Sequence, residues 1–235
     1  DLSRQGQGGL VKFHRIAIEN INSLYGEQVI DFDEHFDNAP LYLIMGPTGS
    51  GKTTILDAVC LALFGTTPRQ ENADGGASGV GARVNSHHAG RSKAIVDFSV
   101  RKNNGAPDGN GRRETYRAVW EFWRAHDNPD GNPQDPRREI KRLQADGTWD
   151  VEVSTRKQTD AEDAFDELLD GMSLHDFLRS VMLAQGEFAA LLTADESEKA
   201  AILERLTETE EFERIGRTAQ QKWREKRDEI KELET

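Results

Sequence analysis

Gly46, Pro47, Thr48, Gly49, Ser50, Gly51, Lys52 and Thr53 stand between an apolar run, residues 41–45, and a stretch of helical character, residues 54–64. Strand, glycine loop and helix in that order turn successive backbone N–H groups inward around a polyphosphate, and the helix adds the positive end of its dipole. Gly46, Gly49 and Gly51 permit the turn, Lys52 sets a point charge beside the outer phosphates, and the Thr53 hydroxyl is suited to Mg2+. A glycine-rich turn without a ligand can share this pattern; the apolar strand before it and the helix after it are the context that favours a nucleotide cradle.

The chain has 235 residues, enough for one large α/β domain or for a smaller domain carrying an extended arm. No apolar stretch approaches the roughly 20 residues of a membrane span, and no secretory signal is evident, so no membrane partner and a cytoplasmic location are expected. Cys60 is the single cysteine and lies in the helical stretch after the glycine loop, which suits a small buried residue. Residues 1–10, with three glycines and two glutamines, read as a flexible leader or cloning remnant. A net charge of -12 argues against wholesale attraction to nucleic acid or to an anionic membrane surface. Local basic pairs remain: Arg101 with Lys102, Arg112 with Arg113, Arg137 with Arg138, and Lys141 with Arg142, all in the middle third. A DNA contact belongs there if one exists; solvated strand edges and turns are the other reading of the same residues.

Alternating patterns predict strands over residues 11–18 and 27–32, separated by a turn at Tyr25 and Gly26, and so an N-terminal hairpin ahead of the glycine loop. Residues 65–90 are rich in Gly, Asn and Ser and predict a long mobile loop, in which Ser78, Gly79 and Val80 are not an ABC signature. Alternation returns at 94–100, 114–123, 138–143 and 149–153 between turn signals, which predicts an antiparallel meander. Asp97 belongs to such a strand and is not read as catalytic, and the pairs His126-Asp127 and His175-Asp176 lack the further ligands a metal needs. Helical spacing follows at 160–169 and 174–183, with a third helix from about Thr193 and a break before a last one near 207–211. Phe212, Ile215, Ala219, Trp223, Lys226, Ile230 and Leu233 form a narrow stripe at steps of three and four. Such a stripe suits a coiled-coil arm paired with a second helix from outside this sequence.

Asn20, Ile21, Asn22, Ser23 and Leu24 with Asp31 and Phe32, then the glycine loop and helix to Phe64, then residues 128–132, then residues 181–191 around Ala184, Gln185, Gly186, Glu187 and Phe188, occur in this order. The set closely resembles the bacterial SbcC family from about Val11 to the C-terminus, and the pairing of the glycine loop with residues 184–188 is its most specific part. The resemblance implies an α/β fold: a P-loop NTPase, the N-terminal lobe of an ABC/SMC-type head, with an antiparallel β meander and a C-terminal coiled-coil stub. Its division would be a leader at 1–10, the lobe at 11–195 and the start of the arm at 196–235.

The family's head is split by a long antiparallel coiled coil, so the resemblance makes this chain the N-terminal half of an ATPase. The signature motif, the Walker B pair and the switch His would come from its own C-terminal half. The implied cofactors are ATP and Mg2+. Pro47, Thr48, Gly49, Ser50, Gly51, Lys52, Thr53 and Thr54 would hold the nucleotide, with Asn22 and Ser23 bordering it. Thr53 and Gln185 would coordinate Mg2+, and Lys52 and Gln185 would serve catalysis, Gln185 as the γ-phosphate sensor. The implied partners are a second head in an ATP-dependent homodimer, the SbcD nuclease docked within 210–235, and double-stranded DNA touching Arg101, Lys102, Arg112 and Arg113, in nucleoid-associated DNA end and hairpin processing and double-strand break repair. Alone, the chain is expected to bind nucleotide weakly and not to hydrolyse it, since Lys52 with Mg2+ is only part of what phosphoryl transfer needs. An SMC-type DNA tether would share this chemistry without a nuclease, and an ABC transporter ATPase would carry its signature motif where the heptad stripe lies.

Overall fold

The structure, a computed structural model, describes residues 11–36, 42–70, 75–102 and 112–180. Among these, six strands form one antiparallel sheet in the order β2-β1-β3-β4-β5-β6, with β1 at Val11–Ile21, β2 at Leu24–Asp31, β3 at Arg91–Lys102, β4 at Arg112–Trp123, β5 at Arg137–Leu143 and β6 at Trp149–Thr155. The predicted hairpin and the predicted meander are therefore one surface, joined by β1 lying antiparallel to β3. The hairpin turns at Asn22 and Ser23, three residues earlier than the predicted turn at Tyr25 and Gly26, which lie within β2. The reason is local: Asn22 takes the left-handed conformation itself, at φ 49°, which an Asn side chain tolerates.

Side chains on one face of the sheet are apolar and buried. Ala94, Val96, Phe98 and Val100 of β3 stand opposite Trp120, Ala118, Tyr116 and Glu114 of β4, and the first three of these partners with Phe122 complete the inner face. Helix α2, Lys52–Phe64, packs there against β1, β3 and β4, with Ala58, Val59, Cys60, Leu61, Ala62 and Leu63 fully enclosed. Its C-terminal end is fastened by Arg138 of β5. That guanidinium donates to the Leu63 carbonyl at 2.7 Å and stacks 4.2 Å above the Phe165 ring of α4, Gln158–Leu168. Burial lowers the Arg138 pKa to about 10, so the side chain stays cationic at neutral pH where a helix C-terminus favours positive charge.

Two expectations are corrected. Residues 42–45, predicted as the strand before the glycine loop, have no strand structure, and Leu43 and Met45 are 81% and 79% exposed. A strand exists only through its ladder, and no described strand lies beside this run. Residues 65–90, predicted as a loop, contain helix α3 at Gly76–Val84. Val80 and Val84 bury one side of it, and Gly81 lies so close to the Phe122 ring that a Cβ would overlap it. Contact made through a missing side chain leaves no hydrophobic periodicity to read. Helices α1 at Phe32–His35 and α5 at Leu174–Ser180, with a 3-10 turn at Ala125–Asp127, complete the described elements. By contacts the chain divides into units 1–175 and 176–235, and of the second the structure describes residues 176–180. The predicted break near 207–211, the apolar stripe and the leader lie outside the described residues.

Gly81→Ala weighs two opposed effects. Helix propensity favours Ala by about 1 kcal/mol, while overpacking a closed core costs about 1–3 kcal/mol. The Phe122 ring is fully buried and has no open space to turn into, so the variant should unfold at a lower urea midpoint than the parent with an unchanged m-value.

Candidate nucleotide site

Gly51 caps α2 at its N-terminus with φ 87°, and Gly49 has φ 84°, so two left-handed residues fold the loop over the first turn of the helix. Ser50 N–H donates to the Pro47 carbonyl at 3.2 Å, and Ile55 N–H to that of Gly51 at 3.2 Å. The Lys52 ammonium reaches back across the loop and donates to the carbonyls of Gly46 and Pro47 at 2.7 and 2.8 Å. A Cβ on Gly46 would stand 2.7 Å from Ser50 Oγ, so the loop closes tightly at its entry. Pro47, Thr48, Gly49, Ser50 and Thr53 are exposed, whereas Thr54 is buried beneath them. The sequence-predicted residues 47–54 thus form one surface cradle, while Gln185 lies outside the described residues.

The β1–β2 turn roofs the start of α2. Leu24 packs on Gly51, where a Cβ would stand 2.8 Å from Leu24 Cδ2. The turn itself is braced from α3 and β3. Asn22 N–H donates to the Val84 carbonyl at 2.7 Å, Ser86 Oγ donates to the Asn22 carbonyl at 2.9 Å and is 3.3 Å from that of Leu24, and Ser86 N–H donates to Asn20 O at 2.9 Å. Asn20 receives the Gly26 N–H at 2.9 Å and donates to the Arg91 carbonyl at 3.1 Å. The side chain of Asn22 donates to Asp57 Oδ2 at 2.9 Å, and Arg69 Nη2 lies 3.4 Å from the same oxygen. Burial raises the Asp57 pKa, and Arg69 and Asn22 offset part of that rise. Burial beside Asp57 also pushes the Cys60 thiol up to about 12, so it is chemically quiet, as the sequence suggests.

The roles of Asp57 and Ser86 are not written in any motif. The one available signal was Asp57 itself, a carboxylate inside an otherwise apolar helix four residues after Thr53. A cavity of about 280 Å³ lies at the other end of α2, lined by Leu63, Phe64, Arg138, Phe165 and neighbouring carboxylates. It is remote along the helix from the glycine loop and is not part of the cradle. Among the described residues no three His, Cys, Asp or Glu side chains converge as a metal site, and no helix is long and apolar enough to cross a membrane.

A glycine loop folded over the N-terminus of a buried helix on a sheet defines a P-loop NTPase. The chain matches the family described as AAA domain over residues 15–235 and belongs to it. It is 33% identical over 226 residues to the SbcC component of the SbcCD nuclease of Pseudomonas aeruginosa, covering 95% of this chain and 18% of that protein. It is 29% identical over 205 residues to the DNA double-strand break repair Rad50 ATPase of Methanopyrus kandleri, covering 87% and 19%. The resemblance drawn from the motifs holds among these relatives, and the chain spans about a fifth of their length. A solved structure from work on "ATP-driven dimerization and DNA stimulated activation of SMC ATPases" superposes over 83% of this chain and 98% of its own, with TM-score 0.45 and 16% identity.

Ser86→Ala removes a buried hydroxyl that ties the Asn22 carbonyl of the turn, at a cost of about 1–2 kcal/mol for a buried hydrogen bond. The urea midpoint should fall accordingly, and hydrogen exchange at Asn22 N–H should speed up more than exchange in β4.

Proposed function

We propose that this chain is the ATP-binding portion of an SbcC-type ATPase head that governs an associated nuclease in DNA break repair. The observation that carries the reading is the loop closed by Gly49, Gly51 and Lys52 at the N-terminus of a buried helix. The backbone N–H groups of residues 48–53 and the Lys52 ammonium would hold the β- and γ-phosphates, with Thr48, Ser50 and Thr54 supporting the loop and Pro47 its entry. Thr53 Oγ1, exposed at the first turn of α2, would ligate Mg2+ together with Gln185. Asn22 and Ser23, beside Leu24 on the roof, would border the nucleotide. Bound Mg2+ supplies charge neutralisation between the outer phosphates.

The cradle's chemistry is half of a hydrolytic site. Lys52 and the helix dipole stabilise charge that grows on the transferring phosphoryl group, but activating water calls for a positioned base and a second clamp. No carboxylate of the described residues hydrogen-bonds within residues 46–54; the nearby Asp57 is buried on α2 and engaged by Asn22. In our reading those groups, and the strands that would pair with residues 42–45, come from a C-terminal half and from a second head. ATP then serves as the contact between two heads, its γ-phosphate bonds being lost on hydrolysis.

Replacing Lys52 by Ala removes a charge-assisted contact worth about 1.5–3 kcal/mol, or roughly ten- to 150-fold in affinity. Titration of the full-length protein with a fluorescent ATP analogue and Mg2+ should show that loss. In the same assay series the 235-residue chain alone should show no turnover sensitive to Lys52→Ala; such turnover would end the half-site reading.

The DNA-facing part of the proposal rests on β3 and β4. Arg101 and Arg113 are directly opposed across the two strands, and burial together with Arg101 lowers the Arg113 pKa. Like charges held opposite each other repel, and a backbone phosphate would relieve them. Changing both to Gln should reduce the slope of log affinity against log salt for duplex DNA by about two units, at about 0.9 per lost phosphate contact. An unchanged slope would return both arginines to ordinary surface charge.

A further inference from the structure

We propose that Asp57 is a positioning residue of the phosphate cradle, anchoring the β1–β2 turn to the helix that the glycine loop opens; this rests on the nucleotide reading above. Asp57 is 4% exposed on a helix whose other enclosed positions are nearly all apolar. A lone carboxylate in such a place is costly unless something engages it. Two groups do, from two different segments: Asn22 of the β1–β2 turn and Arg69 of the loop after α2, both on Oδ2. The Arg69 side chain is 63% exposed and its contact is the longer, so the Asn22 bond is the firmer tie.

The geometry makes this tie bear on the cradle. Asp57 lies four residues, one turn, beyond Thr53 along the same helix face. Asn22 is two residues from Leu24, which packs on the Gly51 cap. The turn is thus held to α2 at two points, by van der Waals contact at the cap and by a hydrogen bond one turn further along. With its amide given to Asp57, Asn22 shapes the site through where it holds the backbone of Ser23 and Leu24.

The test uses the full-length protein, a fluorescent ATP analogue with Mg2+, steady-state ATPase kinetics and nucleotide-free melting. Asn22→Gly deletes the amide while keeping the left-handed backbone free of strain, since the native φ is 49°. Asp57→Ala deletes the anchor, and the exchange Asn22→Asp with Asp57→Asn rebuilds one amide–carboxylate bond with the same charge and volume. Asn22→Gly and Asp57→Ala should each raise the nucleotide Kd and KM tenfold or more with kcat within threefold of the parent, and the exchange should restore both to within threefold. If Asp57→Ala does not fold, Asn22→Gly and the exchange decide. A parental Kd in Asn22→Gly, or a folded exchange variant no better than Asn22→Gly, would overturn the inference. Nucleotide binding that is absent, or indifferent to Lys52→Ala, would instead remove the nucleotide reading and this inference with it.

Discussion

The fold depends on covering α2. From Ala58 to Leu63 the helix has no polar side to show to water, and each of its larger aliphatic side chains gains about 1.5–3 kcal/mol by burial. The inner face of the six-stranded sheet supplies that cover over β1, β3 and β4. Because the helix is gripped along its length, its two ends are fixed points. Leu24 and Asn22 fasten the N-terminal end, and Arg138 fastens the C-terminal carbonyl of Leu63. A phosphate-binding loop borrows its precision from the rigidity of the helix it opens, and here that rigidity comes from the sheet.

The outer face of the sheet is organised differently. Asp97 and Arg117 form a bidentate pair at 2.6 and 2.7 Å, with the guanidinium 4.3 Å over Trp149. Glu121 receives Arg137 at 2.6 Å, and Glu139 receives Lys141 at 3.0 Å and Ser154 Oγ at 3.0 Å. Burial by itself would raise the Glu139 pKa, but the Lys141 and Ser154 bonds outweigh it and keep it below the ordinary range. The carboxylates of Asp97, Glu121 and Glu139 are thus compensated in place. At the far end of β3 and β4, Arg101 stands opposite Arg113, whose guanidinium donates to the Ser99 hydroxyl at 3.2 Å.

Much of this was legible because strands with one buried face write their alternation into the sequence. Ala94, Val96, Phe98 and Val100 lie on the inner face, while the polar Asp97 and Ser99 lie on the other, and all six described strands followed from such patterns. The glycine loop was legible because its chemistry demands fixed residue types. What escaped had physical causes. Residues 42–45 carry a strand's composition, yet pairing is supplied by neighbours and composition cannot provide it. Helix α3 packs through Gly81, so its contact has no side chain to betray it. Asp57 and Ser86 matter through partners 35 and 64 residues away in sequence, a relation that local spacing does not encode.

Cys60 offers a consequence of a different kind. It is the single thiol of the chain, enclosed on α2 and shifted far from the thiolate form. Alkylating reagents attack only the thiolate and only where they can reach it. Nature has thereby built a latent tag into the middle of the phosphate-loop helix: labelling time becomes a clock for how often that helix leaves its sheet, readable without introducing any foreign probe.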